Sequence, residues 1–141
     1  MRYYIIREST NLKVVGYFPQ SIHSKHNCEV CNEPKFIEHH ALKPIGFDQI
    51  VSNAIIHNKA KLTDVISTSG MGFTRKLLIS KKLKSILKGS RHANLQFFES
   101  SLIKNDDYIN NYFILYFHQS SSQFIDFKKS EIYLMDGLLM K

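Results

Sequence analysis

Six consecutive apolar residues, "YFILYF" at 112–117, constrain the fold of this chain more than any other stretch. They form the middle of a longer segment, 108–119, whose aromatic and β-branched residues are typical of a β-strand. A strand with one face in water alternates apolar and polar side chains, and this run has no such alternation. We therefore predict a central strand that other elements cover on both faces.

Further segments have a strand-like composition and lie between turn-forming residues. Asn11 separates the first two of them, so we predict a hairpin at the start of the chain. Pro19 ends the second strand of that hairpin because proline has no amide hydrogen to donate. Turns are predicted at "SGMG" (69–72) and at "NDD" (105–107). The other predicted strands are "RYYIIRE" (2–8), "LKVVGYF" (12–18), "LQFFES" (95–100), "QFIDF" (123–127) and "EIYLM" (131–135).

One helix is predicted within "LLISKKLKSILKG" (77–89), where apolar residues recur at helical spacing and lysines occupy the other face. Ser80 is the predicted N-cap, and Gly89 is predicted to end the helix in a left-handed conformation. Apolar residues at similar spacing in "FDQIVSNAIIHN" (47–58) predict a second, short helix. The predicted apolar face of the first helix contains Ile79, Leu83, Ile86 and Leu87.

The length of 141 residues is that of one domain, which we take to span 1–141. Two strands, a long loop, a helix and then several strands predict an α+β fold, with a mainly antiparallel sheet and one or two helices. No apolar run approaches the roughly 20 residues that cross a bilayer, so we expect no membrane association. No signal-peptide pattern is present at the start, and we expect a cytoplasmic protein.

A polar loop is predicted over 20–44, between Pro19 and Pro44, and it contains both cysteines and four of the seven histidines. Cys28 and Cys31 have the Cys-x-x-Cys spacing that lets two thiolates reach one ion. Thiolate and imidazole ligands favour zinc over magnesium or calcium. We therefore predict a structural zinc site in this loop. Its ligands would be Cys28, Cys31, His26 and His39, with His23 or His40 as substitutes.

Three other interpretations of the loop stay open. It could be a surface loop with free thiols and solvated histidines. A redox pair is a second alternative, although such a motif normally opens a helix after a strand. The third is a catalytic zinc, which needs an open coordination position and an acid or base nearby, and Glu38 is the nearest candidate carboxylate.

The net charge of +7 is concentrated in one segment. No acidic residue occurs between Asp64 and Glu99, and the cations outside that gap equal the acids of the chain in number. Such a segment is either a solvated, lysine-rich helix or a basic face for an anionic partner. The cations in the gap are Arg75, Lys76, Lys81, Lys82, Lys84, Lys88 and Arg91.

Several segments, in order, resemble a family of small immunity proteins from bacterial polymorphic toxin systems. In that family a helix with a Leu/Val-Ser-x-x-Leu/Phe-Lys-x-x-Leu pattern precedes a Gln-Phe-Phe strand, a hydrophobic strand and an Asp-Phe-x-x-Ser segment. The opening "RYYIIR" (2–7) is also similar. The matching segments are "LTDVISTSG" (62–70), "LLISKKLKSILK" (77–88), "LQFFES" (95–100), "YFILYF" (112–117) and "IDFKKSEIYL" (125–134).

The resemblance implies a non-enzymatic protein that binds a cognate toxin and blocks it by occlusion. Because the excess charge is positive, the expected contact surface of the toxin is acidic. The alternative function is a zinc-containing nucleic-acid-binding module that uses 75–91, although no recognised nucleic-acid motif supports it. A small metalloenzyme centred on the cysteines is a further alternative. The candidate partner-binding residues are Lys81, Lys82, Lys84, Lys88 and Arg91.

Overall fold

The computed structural model describes residues 6–40, 44–71, 77–89 and 95–117. Within these ranges the chain forms two α-helices, eight strands and two short 3-10 helices, Ile37–His39 and Ser69–Met71. The helices are α1 (Leu12–Val15) and α2 (Lys81–Lys88). The strands are β1 (Ser21–Lys25), β2 (Asn53–Ile56), β3 (Val65–Ile66), β4 (Leu77–Ser80), β5 (Leu95–Glu99), β6 (Leu102–Lys104), β7 (Asp107–Ile109) and β8 (Tyr112–Phe117).

The strands form two four-stranded sheets, with the orders β1-β2-β6-β7 and β3-β4-β8-β5. Only β2 and β6 pair in parallel among these strands, and every other pairing is antiparallel. This confirms the predicted α+β fold with mainly antiparallel sheets. Neither α-helix of the described ranges is long and apolar enough to cross a membrane.

Strand β8 lies between β4 and β5, and all its residues except Phe117 are buried. Tyr112, Ile114 and Tyr116 pack into the main core, together with apolar residues of the first sheet. Phe113 and Leu115 belong to a second apolar cluster, which includes residues of α2. The prediction of a central strand covered on both faces is therefore confirmed, and the reason is the alternation of side chains along a strand.

Helix α2 lies against the second sheet through Leu83 and Leu87. Ser80 is its N-cap, since the Leu83 amide donates to Ser80 Oγ at 3.1 Å. The predicted apolar face is only partly right: Ile79 belongs to β4, and Ile86 is 63% exposed. The conformation predicted for Gly89 is wrong, because its φ of −72° is right-handed.

The predicted hairpin over 2–18 is wrong where the structure describes it, and 1–5 lie outside the described residues. Leu12–Val15 form α1 because Asn11 caps it, with the Lys13 amide donating to Asn11 Oδ1 at 3.0 Å. Gly16, at a φ of 73°, ends the helix. Pro19 does not end a strand but precedes β1.

The short helix predicted over 47–58 is also wrong, since Asn53–Ile56 is strand β2. The predicted loop over 20–44 contains β1 and the 3-10 helix Ile37–His39. The turn at 105–107 is confirmed, with positive φ at Asn105 and Asp106. It joins β6, which was not predicted, to β7, which the prediction did not separate from β8. The predicted strands 123–127 and 131–135 lie outside the described residues.

Candidate functional site

Three of the four histidines of the predicted zinc loop contact other described residues, and the fourth, His23, is exposed on β1. His26 Nδ1 lies 2.6 Å from Ser52 Oγ. The rings of His26 and Phe36 also make an edge-to-face contact. The ring of His39 contacts the same phenyl ring, with 5.5 Å between centroids. His40 Nε2 lies 2.8 Å from the carbonyl oxygen of Pro34. These contacts hold the rings against neighbouring residues.

The two cysteines are free thiols; Cys28 is half-buried and Cys31 is exposed. Cys28 directly precedes, and Cys31 lies within, a turn in which the Asn32 amide donates to the Glu29 carbonyl at 3.0 Å. Among the described residues, no group of three or more His, Cys, Asp or Glu side chains could hold a metal ion.

The predicted zinc-binding site is therefore wrong for this part of the chain. His23 lies on β1, His26 lies beside Ser52, and His40 lies at the Pro34 carbonyl, so proximity in sequence does not bring three ligands together. The residues concerned are Cys28, Cys31, His26, His39, His23 and His40.

The predicted basic surface is only partly formed by α2. Lys81, Lys82 and Lys88 are exposed on the helix. Lys82 Nζ lies 3.6 Å from Asp64 Oδ2, and both side chains are well exposed, so this pair stabilises the fold by at most about 1 kcal/mol. Arg91 lies outside the described residues.

Lys84 differs from the other lysines of the helix because it lies against the sheet. Its Nζ is 3.3 Å from the centroid of the Phe113 ring and 5.9 Å from that of Phe97. Partial burial lowers the pKa of Lys84, and the positive charges of Lys88 and Lys81 lower it further, whereas Glu99 raises it. Lys84 therefore contributes to packing beneath the helix rather than to its exposed face.

The sequence predicted that Ile86 lies on the apolar face of the helix, but in the structure its side chain is exposed to solvent. It is 63% exposed and lies one helical turn after Lys82. The buried stripe of α2 consists of Leu83 and Leu87, and a residue adjacent to Leu87 points about 100° away from it. A strict test of helical spacing could have found this, because Ile86 and Leu87 cannot both lie at the centre of one face.

We call the exposed side of α2 the outer face and define it by Lys81, Lys82, Ser85, Ile86 and Lys88. An open groove of about 530 Å³ borders its first turn, where Asp64, Asn111 and Tyr112 also contribute to the lining. The Lys81 amide donates to the Asn111 carbonyl at 2.8 Å, and Ser80 Oγ donates to Asp64 Oδ1. The polar groups beside the groove thus pair with each other, so the outer face is a rigid surface.

Comparisons of the chain with protein-family models, with curated proteins and with solved structures found no match. The outer face of α2 combines an exposed isoleucine with exposed lysine ammonium groups, on a helix that packs on a sheet.

Proposed function

We propose that this chain is a non-enzymatic binding protein that neutralises a toxin by occlusion, using the outer face of α2. The observation that carries the proposal is Ile86, a large apolar side chain that is 63% exposed at the edge of a cationic helix face, one turn after Lys82. Leu83 and Leu87 hold the opposite side of the helix on the sheet, so the face is presented without a need for rearrangement.

The chemistry of the outer face matches an acidic protein surface with an apolar depression. Exposed cations accelerate encounter with a surface of opposite charge, whereas a desolvated apolar contact slows dissociation. A side chain that fills a pocket at the centre of an interface commonly contributes most of the binding energy. Ile86 would be that side chain, with Lys82 one turn before it and Lys81 and Lys88 farther around the same exposed side of the helix.

The choice of a toxin as the partner rests on the resemblance to small immunity proteins. The resembling segments that lie in the described ranges contain β3, β4 with α2, β5 and β8. These elements together make up the second sheet and the helix upon it, so the resemblance concerns one contiguous unit rather than scattered fragments. We place the protein in the cytoplasm, where an immunity protein would meet its toxin.

The experiment is co-expression with the product of the adjacent gene, followed by purification and stopped-flow association kinetics. The test variant is Lys81→Glu with Lys88→Glu, and the control is Lys25→Glu with Lys35→Glu, which changes the net charge equally on other exposed parts of the chain. We expect the test variant to associate about tenfold more slowly at low salt and to lose much of the salt dependence.

Two results would contradict the proposal. If the adjacent product is harmless alone and does not co-elute with the wild-type chain, the immunity function is wrong. If the test and control variants associate equally fast, the outer face of α2 is not the contact surface. A mixed oligonucleotide is a parallel probe: salt-dependent binding that the test variant loses would favour the nucleic-acid-binding alternative instead.

A further inference from the structure

A second exposed apolar surface lies around α1. We call it the α1 patch and define it by Leu12, Val14, Tyr17, Phe18 and Leu62. Their exposed fractions are 61%, 48%, 38%, 37% and 41%, respectively. Contiguous apolar surface is typical of an interaction site, and these five residues lie on two segments that are hydrogen-bonded to each other.

The two segments that form the α1 patch are held together by the backbone. The Lys61 amide donates to the Val15 carbonyl at 2.7 Å, and Lys61 Nζ donates to the Lys13 carbonyl at 3.0 Å. Gly16 approaches so closely that a Cβ there would lie 2.4 Å from the Lys59 carbonyl oxygen. The ring of Tyr17 is stacked on His57, with 3.5 Å between centroids. The patch is therefore pre-organised.

The charge around the α1 patch is positive. Lys13, Lys59 and Lys61 are exposed beside it, and none of the three forms an ion pair with another described residue. An occupant of this patch must therefore offer apolar side chains together with carboxylates. That is the same chemistry as the partner proposed for the outer face of α2.

The two surfaces adjoin each other through residues 61–64. Leu62 belongs to the α1 patch, and Asp64, two residues later, accepts from Ser80 and pairs with Lys82 at the start of α2. Three residues span at most about 11 Å, so Leu62 lies within that distance of the residue that pairs with Lys82 of the outer face.

The outer face of α2 alone is too small for a stable interface, so one partner would have to contact the α1 patch as well. An eight-residue helix is about 12 Å long and about 10 Å wide, so its outer face offers on the order of a few hundred Å² of surface at most. A stable complex buries about 800 Å² on each partner. The remaining area has to come from surfaces beside α2, and the α1 patch is apolar, rigid and adjacent.

We propose that the α1 patch and the outer face of α2 form one composite interface for the same acidic protein partner. This inference rests on the proposed function and deepens it by assigning a kinetic role to each surface. The cations of α2 accelerate association, and the apolar side chains of the α1 patch, together with Ile86, slow dissociation.

The experiment measures both rate constants of the complex with the adjacent-gene product. The variants are Val14→Ser and Leu62→Ser, each of which removes apolar surface from an already exposed position. The matched control is Phe47→Ser, because Phe47 is 40% exposed and lies two residues after Ile45, whose amide donates to Gln96 of β5, at the edge of the second sheet opposite to β3. We expect each test variant to dissociate roughly tenfold faster, with an association rate within about threefold of the wild type.

The possible outcomes separate the inference from the function. If the wild-type chain forms no complex, the proposed function is wrong and the composite interface is overturned with it. If the complex forms and the Lys81→Glu, Lys88→Glu variant associates slowly, but Val14→Ser and Leu62→Ser dissociate like the Phe47→Ser control, the function survives and the composite interface is overturned. Thermal unfolding of each variant verifies that the fold is retained.

Discussion

Tyr112 illustrates how one buried polar group depends on its surroundings. Its side chain is 7% exposed, and its hydroxyl donates to the Thr63 carbonyl at 3.0 Å. Burial raises the pKa of Tyr112, and the nearby carboxylate of Asp64 raises it further, because both disfavour the phenolate. The protonated form is thus favoured in the folded state, and its hydrogen bond links β8 to the segment that precedes β3.

The first prediction concerns Tyr112→Phe. At neutral pH we expect a loss of about 1 kcal/mol in the free energy of unfolding, because the Thr63 carbonyl loses its buried donor. Since the folded pKa is raised, the contribution of Tyr112 is complete below the ordinary tyrosine pKa of about 10 and decreases as the pH rises above it. Urea unfolding of both proteins from neutral to alkaline pH measures the difference, which should narrow above that value. A difference that stays constant would contradict the assignment.

At the scale of elements, α2 depends on a cap shared with the chain that leads into β3. Ser80 Oγ accepts from the Leu83 amide and donates to Asp64 Oδ1, so one hydroxyl joins the helix to its neighbour. Asp64 also places a negative charge near the helix N-terminus, where the helix dipole favours it. The same cap orients the outer face of α2 on which the proposed function relies.

The second prediction is that Ser80→Ala reduces the free energy of unfolding by about 1–2 kcal/mol, because the amides of the first turn lose their acceptor. Ser85→Ala is the matched control, since Ser85 Oγ donates only to the Lys81 carbonyl of the preceding turn. We expect the control to change stability by less than about 0.5 kcal/mol. Denaturant titrations followed by circular dichroism give both values, and equal effects would show that the cap is unimportant.

At the scale of the whole molecule, the two sheets meet where β1 begins. The amide and hydroxyl of Ser21 both donate to the carbonyl of Ser67, which follows β3. The buried side chain of Gln20 donates to the Lys61 carbonyl and accepts from the Ser67 amide. Gly70 lies so close to the same strand that an added Cβ would be 2.1 Å from the Ser21 carbonyl oxygen. The first sheet is therefore joined to the second by close backbone contacts, and no side chain fits between the two backbones at Gly70.

The third prediction is that Gly70→Ala destabilises the protein by more than about 2 kcal/mol, since the backbone of β1 must move to admit the methyl group. Gly46→Ala is the control, because a Cβ there meets no atom within 4 Å. Its effect should stay within about 1 kcal/mol. Thermal or urea unfolding compares the two variants, and similar values for both would show that the close approach at Gly70 is not required.

The candidate surface was only partly predictable from sequence. The helical spacing of apolar residues in 77–89 and the Ser80 cap located α2 correctly. However, the inward position of Lys84 over Phe113 and the outward position of Ile86 depend on how the helix rotates on the sheet. The α1 patch was not predicted, because its five residues come from segments about 45 positions apart that backbone contacts bring together.

The sequence by itself determined those features that depend on neighbouring residues in the chain. Six apolar residues in a row at 112–117 require cover on both faces, and a serine before a helical run provides an acceptor for its amides. The tertiary structure decided the rest. It made a helix of 12–15, paired 53–56 as a strand, and kept four nearby histidines from converging on one ion. The physical reason is that short segments have nearly balanced local preferences, so strand pairing and burial determine which conformation they adopt.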